Sequence, residues 1–189
     1  MKVLVACEES QAVCKAFREK GHEAYSCDIQ ECSGGHPEWH IQGDVLSVLN
    51  PNKQYIPGDD WYGFKFRTMD GVLHCIEGKW DLIIAHPPCT YLTNGGAVRM
   101  FRQDFKEYPP YGKFQMVNVE RLKQGMFGRD FFMAIMYARC DRIAIENPIP
   151  MSVYMLPPCQ QIIQPYEYGE PYSKKNLSVV KRSARIDTY

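Results

Sequence analysis

The chain opens on Lys2-Val-Leu-Val-Ala6, a short run apolar on both faces of a strand. It passes directly into a segment where Val13, Ala16 and Phe17 recur at helical spacing. Ser10 stands at the expected N-cap of that helix and Gly21 at its stop. Residues 23–27 predict a second strand with Asp28 at its carboxyl end, so the opening is a strand-helix-strand unit of the parallel, right-handed kind. A loop over 31–39 leads to a short third strand near 41–45. Farther on, Leu82-Ile-Ile-Ala85 reads as a buried central strand that Pro87-Pro88 cannot continue. A helix over 119–139 follows, capped by Asn118, with Phe131, Phe132, Ile135 and Met136 on its buried side. Then come the strand Arg142-Ile-Ala-Ile-Glu146, the stop at Pro148, a short helix over 151–156 and a strand at 161–164. The pattern predicts an α/β fold built on a mostly parallel sheet.

Two stretches break the alternation. Residues 50–79 carry loop signals and then two apolar runs flanking Asp70-Gly71, which predicts a small antiparallel hairpin inserted before the central strand. Residues 94–117 combine glycines, two adjacent prolines and many aromatics, and are expected to form a mobile lid.

At 189 residues, with 45% apolar content, this is one domain's worth of an ordinary globular protein. No stretch approaches a membrane span, and the first residues turn acidic too soon for a signal peptide. A cytoplasmic location is therefore expected, with the eight cysteines reduced. The 22 basic and 22 acidic residues cancel, which denies the chain the bulk attraction of a strong duplex binder. Contact with DNA would need a local patch. Arg99, Arg102, Lys106 and Lys113, interleaved with Phe101, Phe105, Tyr108, Tyr111 and Phe114, supply one candidate; a solvated surface segment is the other reading.

The chemistry-bearing residues fall at strand ends. Cys89 follows Pro87-Pro88 and Glu146 ends the later strand, so two strands deliver a thiol and a carboxylic acid to the edge where open α/β sheets place ligands. Either residue alone would read as a buried thiol or a loop acid.

Pro88-Cys89 and Glu146-Asn147 resemble the two signature loops of the cytosine-5 DNA methyltransferases, in a short form met among phage and prophage genes. Lys2-Val-Leu-Val-Ala6 resembles that family's first strand, Ser26-Cys-Asp28 the acidic end of its second, and Gly43-Asp44-Val45 its third cofactor-binding turn. Tyr168-Gly-Glu-Pro-Tyr-Ser-Lys174 resembles its Tyr-Gly-x-Pro-Gln-x-Arg segment. The resemblance covers roughly residues 1–176. It implies a Rossmann-like methyltransferase domain over 1–175, dependent on S-adenosylmethionine, that methylates carbon 5 of cytosine.

In that reading Cys89 adds to ring carbon 6, Glu146 hydrogen-bonds or protonates ring nitrogen 3, Asn147 braces the loop, and Lys174 stands where the family uses an arginine. The cofactor would lie against Ala6, Cys7, Glu8 and Ser10 of the first loop, Asp28 and Ile29, Asp44 and Val45, and Pro87. Asp28 would hold the ribose hydroxyls and Asp44 the adenine. His86 and Lys174 are the two groups available to activate Cys89.

The chain departs from the family in two places. Its first loop, Cys7-Glu-Glu-Ser-Gln11, has no glycine, and Glu8 and Glu9 would repel a cofactor carboxylate. The family's target-recognition domain finds no counterpart in these residues, so the expected substrate is DNA, single-stranded DNA included, or a nucleotide. With suitable codons, residues 175–189 read one base later give a continuation like the family's Thr-Cys-Leu-Trp-Leu-Lys-Gly-Leu-Pro. Residues 176–189 are accordingly expected to be a disordered or frame-shifted tail whose family strand is lost.

Cys27, Cys32, His36 and His40 are zinc-type ligands within fourteen residues, but Cys27 falls inside a strand and the spacing leaves no room for a finger's helix. No metal is expected. Two further readings stand beside the enzyme: a catalytically inactive relic that binds nucleic acid or protein, and an enzyme that modifies free dCMP or dUMP.

Overall fold

The computed structural model describes residues 1–50, 63–163 and 176–181. Its centre is a seven-stranded sheet in the order β10-β11-β9-β6-β1-β2-β3. Five strands run parallel: β1 (Lys2–Ala6), β2 (Glu23–Asp28), β3 (His40–Gln42), β6 (Leu82–Ala85) and β9 (Ile143–Pro148). The chain winds outward through β1, β2 and β3, then returns to the other side of β1 to lay down β6 and β9. The winding therefore reverses between β1 and β6, opening a crevice at the carboxyl ends there.

Side-chain alternation along β1 sorts the core. Val3 and Val5 face one side, where they pack with Cys14 and Ala24 and with partly buried Val13 and Phe17 of α1 (Ala12–Glu19). Leu4 and Ala6 face the other, beneath α2 (Val119–Met136), whose Phe132 and Ile135 are buried as expected while Phe131 and Met136 pack at the margin. Asn118 caps α2 by accepting the Arg121 N–H at 3.1 Å. Midway along α2, a Cβ on Gly125 would collide with the Tyr154 ring and hydroxyl, so only glycine lets that ring lie against the helix.

The hairpin around Asp70-Gly71 is β4 (Gly63–Arg67) and β5 (Leu73–Glu77), and it roofs the α2 side of the sheet. Phe64, Phe66 and Ile76 pack there with Trp80, whose indole N–H donates to the Val48 carbonyl at 2.7 Å inside the core. Residues 51–62 of the expected insertion lie outside the described residues.

The expected lid over residues 94–117 consists of a 3-10 turn over Asn94–Met100 and a regular antiparallel hairpin, β7 (Phe101–Tyr108) and β8 (Gly112–Val117). Within the expected disordered or frame-shifted tail, Asn176–Lys181 is a strand, β11, antiparallel to β9 over six residue pairs and to β10 (Gln161–Ile163) over three. The open edge of β9 presents a row of unpaired backbone groups, and β11 satisfies them. Residues 182–189 lie outside the described residues. The third strand ends at Gln42, because Asp44 turns the chain by capping a 3-10 turn over Val45–Ser47, and the short helix near 152 is likewise only a 3-10 turn.

Candidate functional site

At the carboxyl edge of the sheet lies a cleft of about 500 Å³. It is walled by residues following four parallel strands and by one side of α2. Cys7 follows β1, Asp28 ends β2 and Ile29 and Gln30 follow it, Asp44 and Val45 follow β3, and Pro88 and Tyr91 follow β6; Gln124, Phe127, Gly128 and Phe131 come from α2. The cleft thus straddles the reversal of strand order. Its two charged residues are both acids and its remaining walls are mostly apolar.

Asp28 ends β2 and turns on itself, its Oδ1 accepting the Gln30 N–H at 2.9 Å. Among the described residues no donor reaches its Oδ2. Asp44 accepts the Leu46 N–H at 2.9 Å. Burial, reinforced by the Asp28 and Asp44 charges, pushes the Cys7 thiol up to about 12. Cys7 therefore presents a neutral thiol to the cleft.

Of the nine residues the sequence assigned to this region, Cys7, Asp28, Ile29, Asp44 and Val45 line the cleft. The other four do not. Ala6 is fully buried within β1, and Ser10 sits at the outer start of α1, its hydroxyl 3.5 Å from the Ala12 N–H. Pro87 is buried while its neighbour Pro88 faces the cleft. Glu8 points away into α1, where its two carboxylate oxygens accept the Val13 and Cys14 N–H groups at 2.6 and 3.2 Å. Glu8, not Ser10, therefore terminates the helix.

The glycine-free loop is held by Gln11. Cys7 and Gln11 both adopt the left-handed conformation, with φ of 60° and 58°, which non-glycine residues visit at a cost of about 1–2 kcal/mol. Gln11 is fully buried and offsets that cost with its side-chain amide. Nε2 donates to the His36 carbonyl at 2.8 Å and Oε1 accepts the His36 N–H at 3.0 Å, tying the 31–39 loop to the sheet edge.

The Pro-Cys and Glu-Asn segments leave from neighbouring strands. Ala85 of β6 pairs with Ile145 of β9, so His86 and Glu146 come next to each other. His86 Nδ1 lies 2.8 Å from Glu146 Oε2. The histidine weighed as an activator of Cys89 is thus bonded to the carboxyl instead. Cys89 is half-buried in a tight turn, its carbonyl accepting the Leu92 and Thr93 N–H groups at 2.9 and 3.1 Å. Its Pro88 neighbour lines the cleft, whereas Cys89 itself does not. Asn147 is buried, donates through Nδ2 to the Pro148 carbonyl at 2.7 Å and leaves Oδ1 without a partner. Lys174 lies outside the described residues.

Arg121 is a component the sequence reading missed. It is nine-tenths buried, donates through Nη2 to the Thr90 carbonyl at 3.2 Å, and lies over the Tyr91 ring at 5.2 Å. Gly96 makes room for it, because a Cβ there would collide with the guanidinium. The Gly95-Gly96 pair was the one available signal.

Two of the four zinc-type residues have other partners. His40 is buried between the Ser26 hydroxyl and the Gln30 carbonyl, at 2.8 and 2.9 Å. His36 pairs with Glu38 and stacks on Trp39. In the β7–β8 hairpin Arg102 is paired with Asp104, and Glu107 stands opposite Lys113 in the strand register, so acids are interleaved with the basic residues of the expected patch.

No protein-family model matches this chain, and no curated protein matches it.

Proposed function

We propose that this chain is a Rossmann-like, S-adenosylmethionine-dependent transferase that methylates carbon 5 of cytosine in DNA through Cys89. The observation that carries the reading is the pairing of β6 with β9, which brings the Pro-Cys turn and Glu146 to adjacent positions beside an acid-lined, apolar cleft. The winding order β3-β2-β1 followed by β6-β9 is that of doubly wound nucleotide-binding sheets, with the cleft at their ligand-binding crevice.

The cleft fits one half of the cofactor well. Asp28 Oδ2 is available to a ribose hydroxyl, and Ile29, Val45, Phe127 and Phe131 offer apolar walls to an adenine. Two carboxylates with no cation among the described lining residues favour a cationic sulfonium and disfavour phosphate. The amino-acid carboxylate does not find the α1 N-terminus, since Glu8 fills it. When bound, the cofactor supplies an electrophilic methyl group.

The chain's own residues do the rest. Cys89 supplies the sulfur for carbon 6 of the base, Glu146 a proton or hydrogen bond for nitrogen 3, and Arg121 holds the Cys89 turn through the Thr90 carbonyl. A single-stranded substrate avoids the cost of flipping a base from a duplex. The eight cysteines, all free, suit a reducing cytoplasm. The filled α1 N-terminus favours a second reading, an inactive relic that keeps the fold and binds no cofactor.

Calorimetry with S-adenosylmethionine and its demethylated product separates the two: micromolar binding is expected, and none would leave the relic. With a 5-fluorocytosine oligonucleotide, a covalent adduct that Cys89→Ser abolishes is expected. An adduct that survives Cys89→Ser would overturn the assignment of the nucleophile.

A further inference from the structure

His86 is fixed at both ends before its side chain is placed. Its N–H donates to the Ala6 carbonyl at 3.0 Å, continuing the β1–β6 ladder, and Pro87 after it restricts its backbone to the extended region. The ring therefore reaches the neighbouring strand, where Nδ1 meets Glu146 Oε2 at 2.8 Å. Its other nitrogen, Nε2, is buried with no hydrogen-bond partner among the described residues. With no acceptor for an Nε2–H, the neutral ring keeps its single proton on Nδ1, where Glu146 accepts it.

We propose that His86 is a positioning residue for Glu146: its Nδ1–H holds Oε2 and so orients the carboxyl that serves nitrogen 3 of the cytosine. The inference rests on the transferase reading above. As the Cys89 sulfur, in its thiolate form with the thiol proton already lost to solvent, bonds to carbon 6, the carbon 5–carbon 6 π pair moves to the carbon 4–carbon 5 bond. The carbon 4–nitrogen 3 π pair moves to nitrogen 3, which takes a proton from Glu146. Glu146 is left as a carboxylate and His86 loses no proton. The Nδ1–H···Oε2 bond becomes charge-assisted only at that point, so it stabilises the adduct more than the starting complex.

The test measures covalent capture of a 5-fluorocytosine single-stranded oligonucleotide by the full chain with S-adenosylmethionine present. Noncovalent oligonucleotide affinity and thermal midpoint are measured alongside. His86→Ala should slow adduct formation at saturating oligonucleotide by roughly 10- to 100-fold, the loss of one hydrogen bond to a charged group. Noncovalent affinity should hold within about twofold, since the bond acts chiefly in the adduct. His86→Asn, which returns an amide N–H near the Nδ1 position, should recover most of the rate. In a Glu146→Ala background, His86→Ala should have no further effect.

A wild-type rate in His86→Ala overturns the proposal, and so does a folded His86→Asn as slow as the alanine variant. Nitrogen-15 imidazole shifts of the wild-type chain give a measurement free of any variant: an Nδ1–H, Nε2-bare ring is expected, and the opposite tautomer refutes the assignment. If wild type forms no adduct at all, the transferase reading itself fails and this inference falls with it.

Discussion

The Glu8 carboxylate accepts the Val13 N–H at 2.6 Å, so the amino end of α1 is closed by a side chain from its own loop. A helix N-terminus beside a sheet edge is ordinarily an anion site, because its N–H groups lack partners and its dipole is positive there. Here the anion is built in. Glu8→Ala should therefore destabilise the chain by about 1–2 kcal/mol, the upper range for losing an N-cap, measured by urea unfolding. A variant as stable as wild type would show that the contact contributes nothing.

On the transferase reading, the same contact would set ligand preference. Methylthioadenosine, which lacks the amino-acid end, should bind within a few-fold of S-adenosylhomocysteine, and Asp28→Ala should weaken both by roughly 1–3 kcal/mol through lost charge-assisted hydrogen bonds. A hundredfold preference for S-adenosylhomocysteine in calorimetry would mean that its carboxylate has an anchor despite Glu8.

Arg121 reaches the Cys89 turn from a helix more than thirty residues away in sequence. Arg121→Met keeps the apolar stem but removes the donor to the Thr90 carbonyl. Adduct formation with fluorocytosine DNA should fall roughly 10- to 100-fold, the scale of a misplaced reacting group. Nucleoside binding in the cleft should be unchanged, and equal losses in both assays would point to general disruption.

Burial raises the thiols of Cys14, to about 11, and Cys7, to about 12, with nearby carboxylates adding to each; Cys27 moves in the same direction for the same main reason. These groups are neutral in both folded and unfolded chains below about pH 8, near the ordinary thiol range. Above it the unfolded chain ionises first, so stability should be fully present at neutral pH and decline as pH rises toward 12. Urea midpoints in reducing buffer across that range measure it; Cys14→Ala and Cys7→Ala should each flatten the decline.

Trp80 is fully buried between the hairpin and the sheet, and its indole satisfies the Val48 carbonyl. Trp80→Ala should cost about 3–5 kcal/mol. Trp80→Phe, which keeps the ring but orphans the carbonyl, should cost about 1–3 kcal/mol. A smaller loss on Trp80→Ala than on Trp80→Phe would show that the cavity refills.

What the sequence determined by itself was local or periodic. The apolar run of β1, the Asn118 cap, the Asp70-Gly71 hairpin and the proline stop after β6 depend on neighbours within a few positions, and each was legible. So were Asp28 and Asp44, because a strand's end fixes which edge its last residue joins.

Tertiary structure decided the rest. Glu8 and Ser10 both lay within reach of α1, and only the left-handed backbone at Cys7 and Gln11 selected Glu8 as the cap. His86 could have served Cys89 three residues on. Strand pairing across a separation of sixty residues gave it to Glu146 instead. The α2 wall of the cleft, the Arg121 contact and the placing of β11 beside β9 likewise come from chain segments that meet only on folding. Periodicity shows which face of an element is buried; it does not show which distant element covers it, and the candidate site is made of such meetings.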